Sequence, residues 1–590
     1  MNAKSAREGQ VSDVQEAIRE GDGTGPGGTR PGGAGQRPAN AAFFYHPDGY
    51  DTSRPKLVGR HSAGEGFLKG FVRHAGVERF HCHALRRRSF DHFETLVKGV
   101  RPAVETDWIP AAQRARLADV GCLFVPGPGL GGEFAWNRRR IGERAYSLCG
   151  VTHTTATHAI MDGMLNLLID PVQSWDAVVC TSRVVRDSLG RVLKGYRAHL
   201  GERLGATSFT LPQMPIIPLG VECDDMATDE AARARWRKKL GIGDDDVMVL
   251  FMGRLSFFEK AHPMPMYLGL EQAAKAAEGS GRKVHLVEAG WFPNDSIEKS
   301  FEEAVAATLS TVRHHFLDGR KPEVRQGIWH AADVFCSLSD NIQETFGLTP
   351  IEAMAAGLPV VVTDWDGYKD TVRDGEDGFR IRTLMPAPGL GSELADRFFD
   401  GYDAYGRYCG YASQMTMVDV AATAEAFQAL IEQPERRRTM GEAGRRRARE
   451  VYDWRVVVGQ YQALWAELEQ RRAAGRESGA KTQRHPGREC PFTVFQSYPT
   501  SSLRSDHRVS LAPGTDREKL SQFVQLKMVS FAKEILGSEK ELLRILDHLE
   551  RSGPLPAKAL SDQVSRDRRR AIVRTVLWLA KHGLVRIDEP

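Results

Sequence analysis

Two carboxylates eight positions apart, Glu344 and Glu352, bracket the run Thr345-Phe346-Gly347-Leu348-Thr349-Pro350-Ile351. Thr349 can serve as an N-cap, Pro350 as the first helical residue and Glu352 as the third, which together predict a capping box and a helix over about 350–356. The amides of Phe346, Gly347 and Leu348 then lie at the positive end of a helix dipole, where main-chain N–H groups hold phosphate, and Gly347 lets an anion approach the backbone. Glu344 stands one step earlier, within reach of whatever such a phosphate carries. Two cations stand at another strand end. Arg254 follows an apolar run, and Lys260 follows it by six residues. Fixed cations facing a phosphate leaving group stabilise the charge that grows on it as its bond breaks.

These residues need a scaffold that brings distant segments to one edge. Val334-Phe335-Cys336-Ser337-Leu338 reads as a buried strand, Gly357 and Pro359 end the helix, and Val360–Val362 form the next strand. Strand, loop, helix, strand is one step of a parallel α/β sheet, and such sheets bind ligands at the carboxyl ends of their strands. Val247–Met252, ending in Gly253-Arg254, is a strand of the same kind. In the first half, Ala42–His46, Ser147–Val151 and Trp175–Cys180 read as buried strands. The second of these ends in Thr152-His153, an imidazole at a strand end. Residues 56–67 read as a strand, a glycine loop containing Gly64 and Gly66, and a helix start. Cys122–Gly132 has a glycine spacing and a proline that spoil a dinucleotide fingerprint, and reads as a loop at a cleft edge.

At 590 residues the chain is too long for one core. Hydrophobic residues make up 41% and charged residues 26%, as in soluble globular proteins. The net charge of +4, from 80 basic and 76 acidic residues, makes the whole molecule no electrostatic trap for nucleic acid. The eight cysteines are scattered, with no C-x-x-C pair, and read as reduced thiols of a cytoplasmic protein. His81-Cys82-His83 places neighbours on opposite strand faces with no second cluster, so no metal site is expected. No apolar run reaches a membrane span, which leaves peripheral contact with the inner face of a membrane open.

The segment from Glu344 through Glu-Ala-Met-Ala-Ala-Gly-Leu-Pro-Val-Val resembles the Glu-x7-Glu motif of the family 4 retaining glycosyltransferases. The resemblance implies an α/β GT-B fold: two facing Rossmann-like domains with a cleft between them. Residues 41–225 would be the acceptor-side domain and 226–451 the nucleotide-sugar-binding domain, with 452–471 a terminal helix crossing back to the first. It implies that Glu344 binds the donor sugar and Glu352 the ribose, that the amides of Phe346–Leu348 with Arg254 and Lys260 hold the diphosphate, and that His153 faces the sugar. Gly64 and Gly66 would approach the donor diphosphate or the acceptor. The activity implied is transfer of a hexose-type sugar from a nucleotide sugar to a hydroxyl of a glycan, lipid or small molecule, by front-face displacement with no metal and no cofactor. Two alternatives stay open: a sugar-nucleotide hydrolase or epimerase on the same fold, and a catalytically idle sugar-nucleotide-binding protein.

The resemblance covers neither end of the chain. Residues 1–40, rich in glycine and proline, are expected to be disordered. Residues 472–515 read as a polar linker and 516–590 as a small helical accessory domain with some likeness to a winged helix. Arg566, Arg568, Arg569 and Arg570 could touch phosphates there, but a protein-interaction or dimerisation module is the favoured reading over nucleic-acid binding.

Overall fold

A computed structural model describes residues 38–52, 59–477, 479 and 483–589. The strand expected at 56–58 and nearly all of the expected disordered segment 1–40 lie outside the described residues. The chain divides into two units, Met1–Arg484 and His485–Pro590.

The first unit contains two parallel sheets of six strands each. The N-terminal lobe is built on β1 (Ala42–Phe44), β2 (Arg79–His83), β3 (Glu105–Ile109), β4 (Cys122–Val125), β5 (Ser147–Val151) and β6 (Ala177–Val179). The C-terminal lobe is built on β7 (Val247–Arg254), β8 (Val284–Trp291), β9 (Arg313–Asp318), β10 (Val334–Ser337), β11 (Val360–Thr363) and β12 (Gly378–Ile381). Their orders, β3-β2-β1-β4-β5-β6 and β12-β11-β10-β7-β8-β9, are one doubly wound topology used twice. Strands covered on both faces carry continuous apolar runs, as β4, β5, β10 and β11 do, with every residue buried. The α/β architecture of two Rossmann-like domains is as expected. A small antiparallel ladder, β13 (Thr383–Leu384) with β14 (Met417–Val418), follows β12.

Two segments pass between the lobes, and they lie side by side. Val221 donates its N–H to Tyr452 O at 2.8 Å and accepts from Trp454 N at 3.1 Å. An ionic knot encloses this crossing: Glu222 accepts from Arg73 at 2.9 Å and lies 3.0 Å from His74 Nε2, while Arg455 pairs with Asp453. The helix Trp454–Ala474 then buries Trp454, Val457, Tyr461, Trp465 and Leu468 in the core of the N-terminal lobe.

That packing corrects the glycine loop. Residues Gly59–His74 are a helix, so Gly64 and Gly66 lie inside it and not in a loop. A Cβ on Gly64 would come 2.1 Å from Gly49 O, and one on Gly66 would touch the Trp454 ring at 3.3 Å. The small residues are there for close approach of neighbouring backbone and ring.

The second unit has its own core of Val509, Leu542, Ile545, Leu549, Leu560, Ile572 and Leu579. It is not wholly helical. β15 (Arg508–Leu511), which falls in the segment read as linker, is the centre of an antiparallel sheet flanked by β16 (Leu555–Pro556) and β17 (Val585–Asp588). Two of the four arginines noted there are paired internally: Arg568 with Glu541 and Arg569 with Asp562.

Candidate active site

In the C-terminal lobe strand order reverses between β7 and β10, and the crevice outside the carboxyl ends of those two strands is where such a sheet takes a ligand. The cations and the carboxylates singled out in the sequence arrive there. β7 ends in Arg254 and the following turn carries Lys260. The loop after β10 carries Glu344. The Lys260 ammonium donates directly to the Glu344 carboxylate, 84 residues away in sequence. The pair is largely shielded, with side-chain exposures of 21% and 15%.

Burial alone would raise the Glu344 carboxyl. The Lys260 charge and hydrogen bonds from the Thr345 and Phe346 amides outweigh it and hold the carboxyl below its usual range. One amide of the expected phosphate cradle, that of Phe346, is therefore engaged by Glu344 itself. The helix begins at Leu348, two residues earlier than expected, with Gly347 as N-cap and no side-chain cap. Thr349 and Glu352 are thus inside the helix and make no capping box. Gly347 has φ +87°, and a Cβ there would lie 1.9 Å from the Tyr368 ring. Packing against Tyr368 therefore requires glycine at this position. The first turn from Leu348 still presents N–H groups without intrahelical partners beside the ion pair. The Phe346 side chain is buried against Tyr452, so only its backbone faces the crevice. Glu352 is half-buried, and burial pushes its carboxyl up to about 7 against a smaller opposing pull from Arg325.

Arg254 is also engaged. Its guanidinium donates to Glu259 Oε2 at 2.7 Å and to the Glu259 carbonyl at 2.9 Å. Glu259 follows the Phe257-Phe258 pair, whose second member packs under Gly410. The helix Tyr405–Gln414 thus covers the Arg254–Lys260 turn; it belongs to an excursion of the C-terminal lobe that was not expected from the sequence. From it, Tyr405 Oη lies 3.1 Å from Thr154 Oγ1 of the other lobe and 3.5 Å from Gln343 Oε1.

The N-terminal lobe supplies the facing wall. His153 follows β5 and borders a small pocket shared with Gly64, Phe67, Pro126 and Trp454. Burial, helped by the charge of Arg60, pushes its imidazole down to about 4, so it is neutral at pH 7. Tyr405 joins the His153-Thr154 loop to the Gln343-Glu344 loop. Two further contacts cross at this side: Ser182 Oγ donates to Thr345 O at 2.9 Å, and Arg183 donates to Asp370 at 2.6 and 2.8 Å. Glu259, Tyr405 and Ser182 carry no such signal in the sequence, because each acts through a tertiary partner.

Residues 232–383, which hold Arg254, Lys260, Glu344 and Glu352, match the family model "Glycosyl transferases group 1". Over those residues the chain is similar to the group 1 glycosyl transferases. Among curated relatives, D-inositol 3-phosphate glycosyltransferase of Geodermatophilus obscurus is 30% identical over 177 residues, 29% of this chain and 37% of the relative. The protein of that name from Xylanimonas cellulosilytica is 31% identical over 229 residues, 36% of this chain and 52% of the relative. The chain thus spans about half or less of the length of these relatives. Among solved structures, Anabaena Alr3699/HepE in complex with UDP aligns with 72% of this chain and all of its own, at 14% identity and a TM-score of 0.48.

Proposed function

We propose that the chain transfers a hexose-type sugar from a nucleoside diphosphate sugar to an acceptor hydroxyl, with retention of anomeric configuration. The observation that carries this reading is the Lys260–Glu344 pair at the strand-order reversal, directly before a helix N-terminus and beside Arg254. In this reading the free N–H groups from Leu348 onward, with Lys260 and Arg254, take the diphosphate. Arg254 leaves or shares Glu259 to do so. Glu344 accepts hydrogen bonds from the sugar, Glu352 lies by the ribose, and neutral His153 faces the sugar from the opposite lobe without adding charge.

The reaction breaks the bond between the anomeric carbon and the diphosphate oxygen and forms one from that carbon to the acceptor oxygen on the same face. The acceptor proton passes to the departing diphosphate. Charge grows on the diphosphate in the transition state, so preplaced cations and amides act more strongly there than on bound donor. Neither a protein nucleophile nor a metal is part of this proposal.

A panel of UDP-, GDP- and ADP-sugars, read by thermal shift and nucleotide release, identifies the donor. NMR of the product then reads the anomeric configuration, and inversion would refute the mechanism. Lys260→Ala is expected to lower kcat by about 10²- to 10³-fold, with near wild-type turnover ruling the assignment out. Sugar consumption that proceeds equally without acceptor would instead favour a hydrolase or epimerase.

A further inference from the structure

We propose that Asp366 is a further donor-binding residue, one that contacts a ring hydroxyl of the transferred sugar beside Glu344 and so favours neutral sugars with free neighbouring hydroxyls over uronic acids. This rests on the donor-site reading above.

Asp366 belongs to the loop after β11, and that loop forms one wall with the loop after β10. Trp365 Nε1 donates to Asn341 O at 3.1 Å, and a Cβ on Gly367 would sit 2.4 Å from Phe346 Cα. Asp366 is the only non-glycine residue with positive φ among the described residues, at +30°. A residue held in this region is strained, and glycine would occupy it without penalty. Such strain collects at ligand sites, where the surrounding structure enforces it.

The side chain gives the second observation. Oδ1 accepts the amide of Gly367, its own neighbour. Oδ2 is buried and has no hydrogen-bond partner among the described residues. Buried polar atoms are otherwise paired in nearly all cases, because leaving one unmade forfeits its solvation. Burial, then the negative charge of Glu344, pushes the Asp366 carboxyl well above its usual range, against the opposing Gly367 amide and Lys260. A carboxyl held in its neutral form both donates and accepts, which suits a hydroxyl.

The charge count selects the ligand class. In the donor-site reading Lys260 and Arg254 serve the diphosphate, so neither is left for a carboxylate on the sugar, which would instead meet the ionised Glu344 beside the neutral Asp366. Two acidic groups on adjoining loops match two neighbouring hydroxyls of a pyranose.

The test compares Asp366→Gly and Asp366→Asn with the wild-type chain. Melting temperature, affinity for the free nucleoside diphosphate, and kcat/KM for the nucleotide sugar are all measured. Asp366→Gly is expected to melt at or above the wild-type temperature because the strain is relieved. Its affinity for the free nucleoside diphosphate stays within about two-fold, while kcat/KM for the nucleotide sugar falls by about ten- to a hundred-fold, the loss of one hydrogen bond to a charged or polar partner. Asp366→Asn, which keeps the shape, should recover part of that loss. Unchanged kcat/KM in both variants overturns the inference while leaving the donor-site reading in place. Wild-type protein with no affinity for any nucleoside diphosphate overturns both.

Discussion

Glu344 and Glu352 have the same side chain and sit one loop and one turn apart, yet their surroundings drive them in opposite directions. Glu344 has Lys260 against it and stays ionised. Glu352 has only the weaker pull of Arg325, and burial prevails, raising it from 4.5 to about 7. The folded state therefore holds the Glu352 proton more tightly than the unfolded chain does. Its contribution to stability is complete below pH 4.5 and is lost as pH rises through about 7. Glu352→Gln is accordingly expected to raise the denaturation midpoint over wild type at pH 8 and to leave it nearly unchanged at pH 5, as urea melts at the two pH values would read. The cation and carboxylate positions are legible in the residue order because their spacing is local and their chemistry specific. The state of each is not: that Arg254 is held by Glu259, and that Lys260 lies on Glu344, depends on how two loops from different strands come together. Asp366 is hidden for a related reason, since a backbone angle leaves no mark in residue type when the residue there is not glycine.

At the level of elements, strands are plain in the sequence and glycine-bearing helices are not. β5, β10 and β11 are short apolar runs buried on both faces, a pattern that few other structures produce, whereas β4 is masked by the glycine run that follows it and reads as part of a loop. The helix Gly59–His74 contains four glycines, each costing about 1 kcal/mol of helix propensity, and so it reads as a loop in isolation. Contact with Trp454 overrides that cost. The contact is graded: a Cβ on Gly70 would lie 2.5 Å from the indole, one on Gly66 3.3 Å. Gly70→Ala should therefore lose about 1–3 kcal/mol through overpacking, and Gly66→Ala less, because a smaller shift accommodates it. Equilibrium unfolding of the two variants side by side checks the order, and equal losses would mean the indole does not set the spacing.

At the level of the molecule, the two units separate cleanly in their cores. The second carries a hydrophobic cluster and a three-stranded sheet of its own. A fragment of residues 485–590 is expected to unfold in a single cooperative transition, with secondary structure and near-ultraviolet signals lost together; a gradual, non-coincident loss would show that this core does not suffice. Within the first unit, the lobes share two covalent passages that touch at Val221 and Asp453, and the contacts described at the far side are light: Ser182 to Thr345, Arg183 to Asp370, Thr154 to Tyr405. That arrangement is a hinge with a light latch. Swinging the lobes apart stretches no backbone, and the bonds to be broken are few, polar and ready to be replaced by water. Under the proposed transfer, admitting a bulky donor and letting its spent half go again would thus be inexpensive motions, with the gap widening most at the lip that Tyr405 guards.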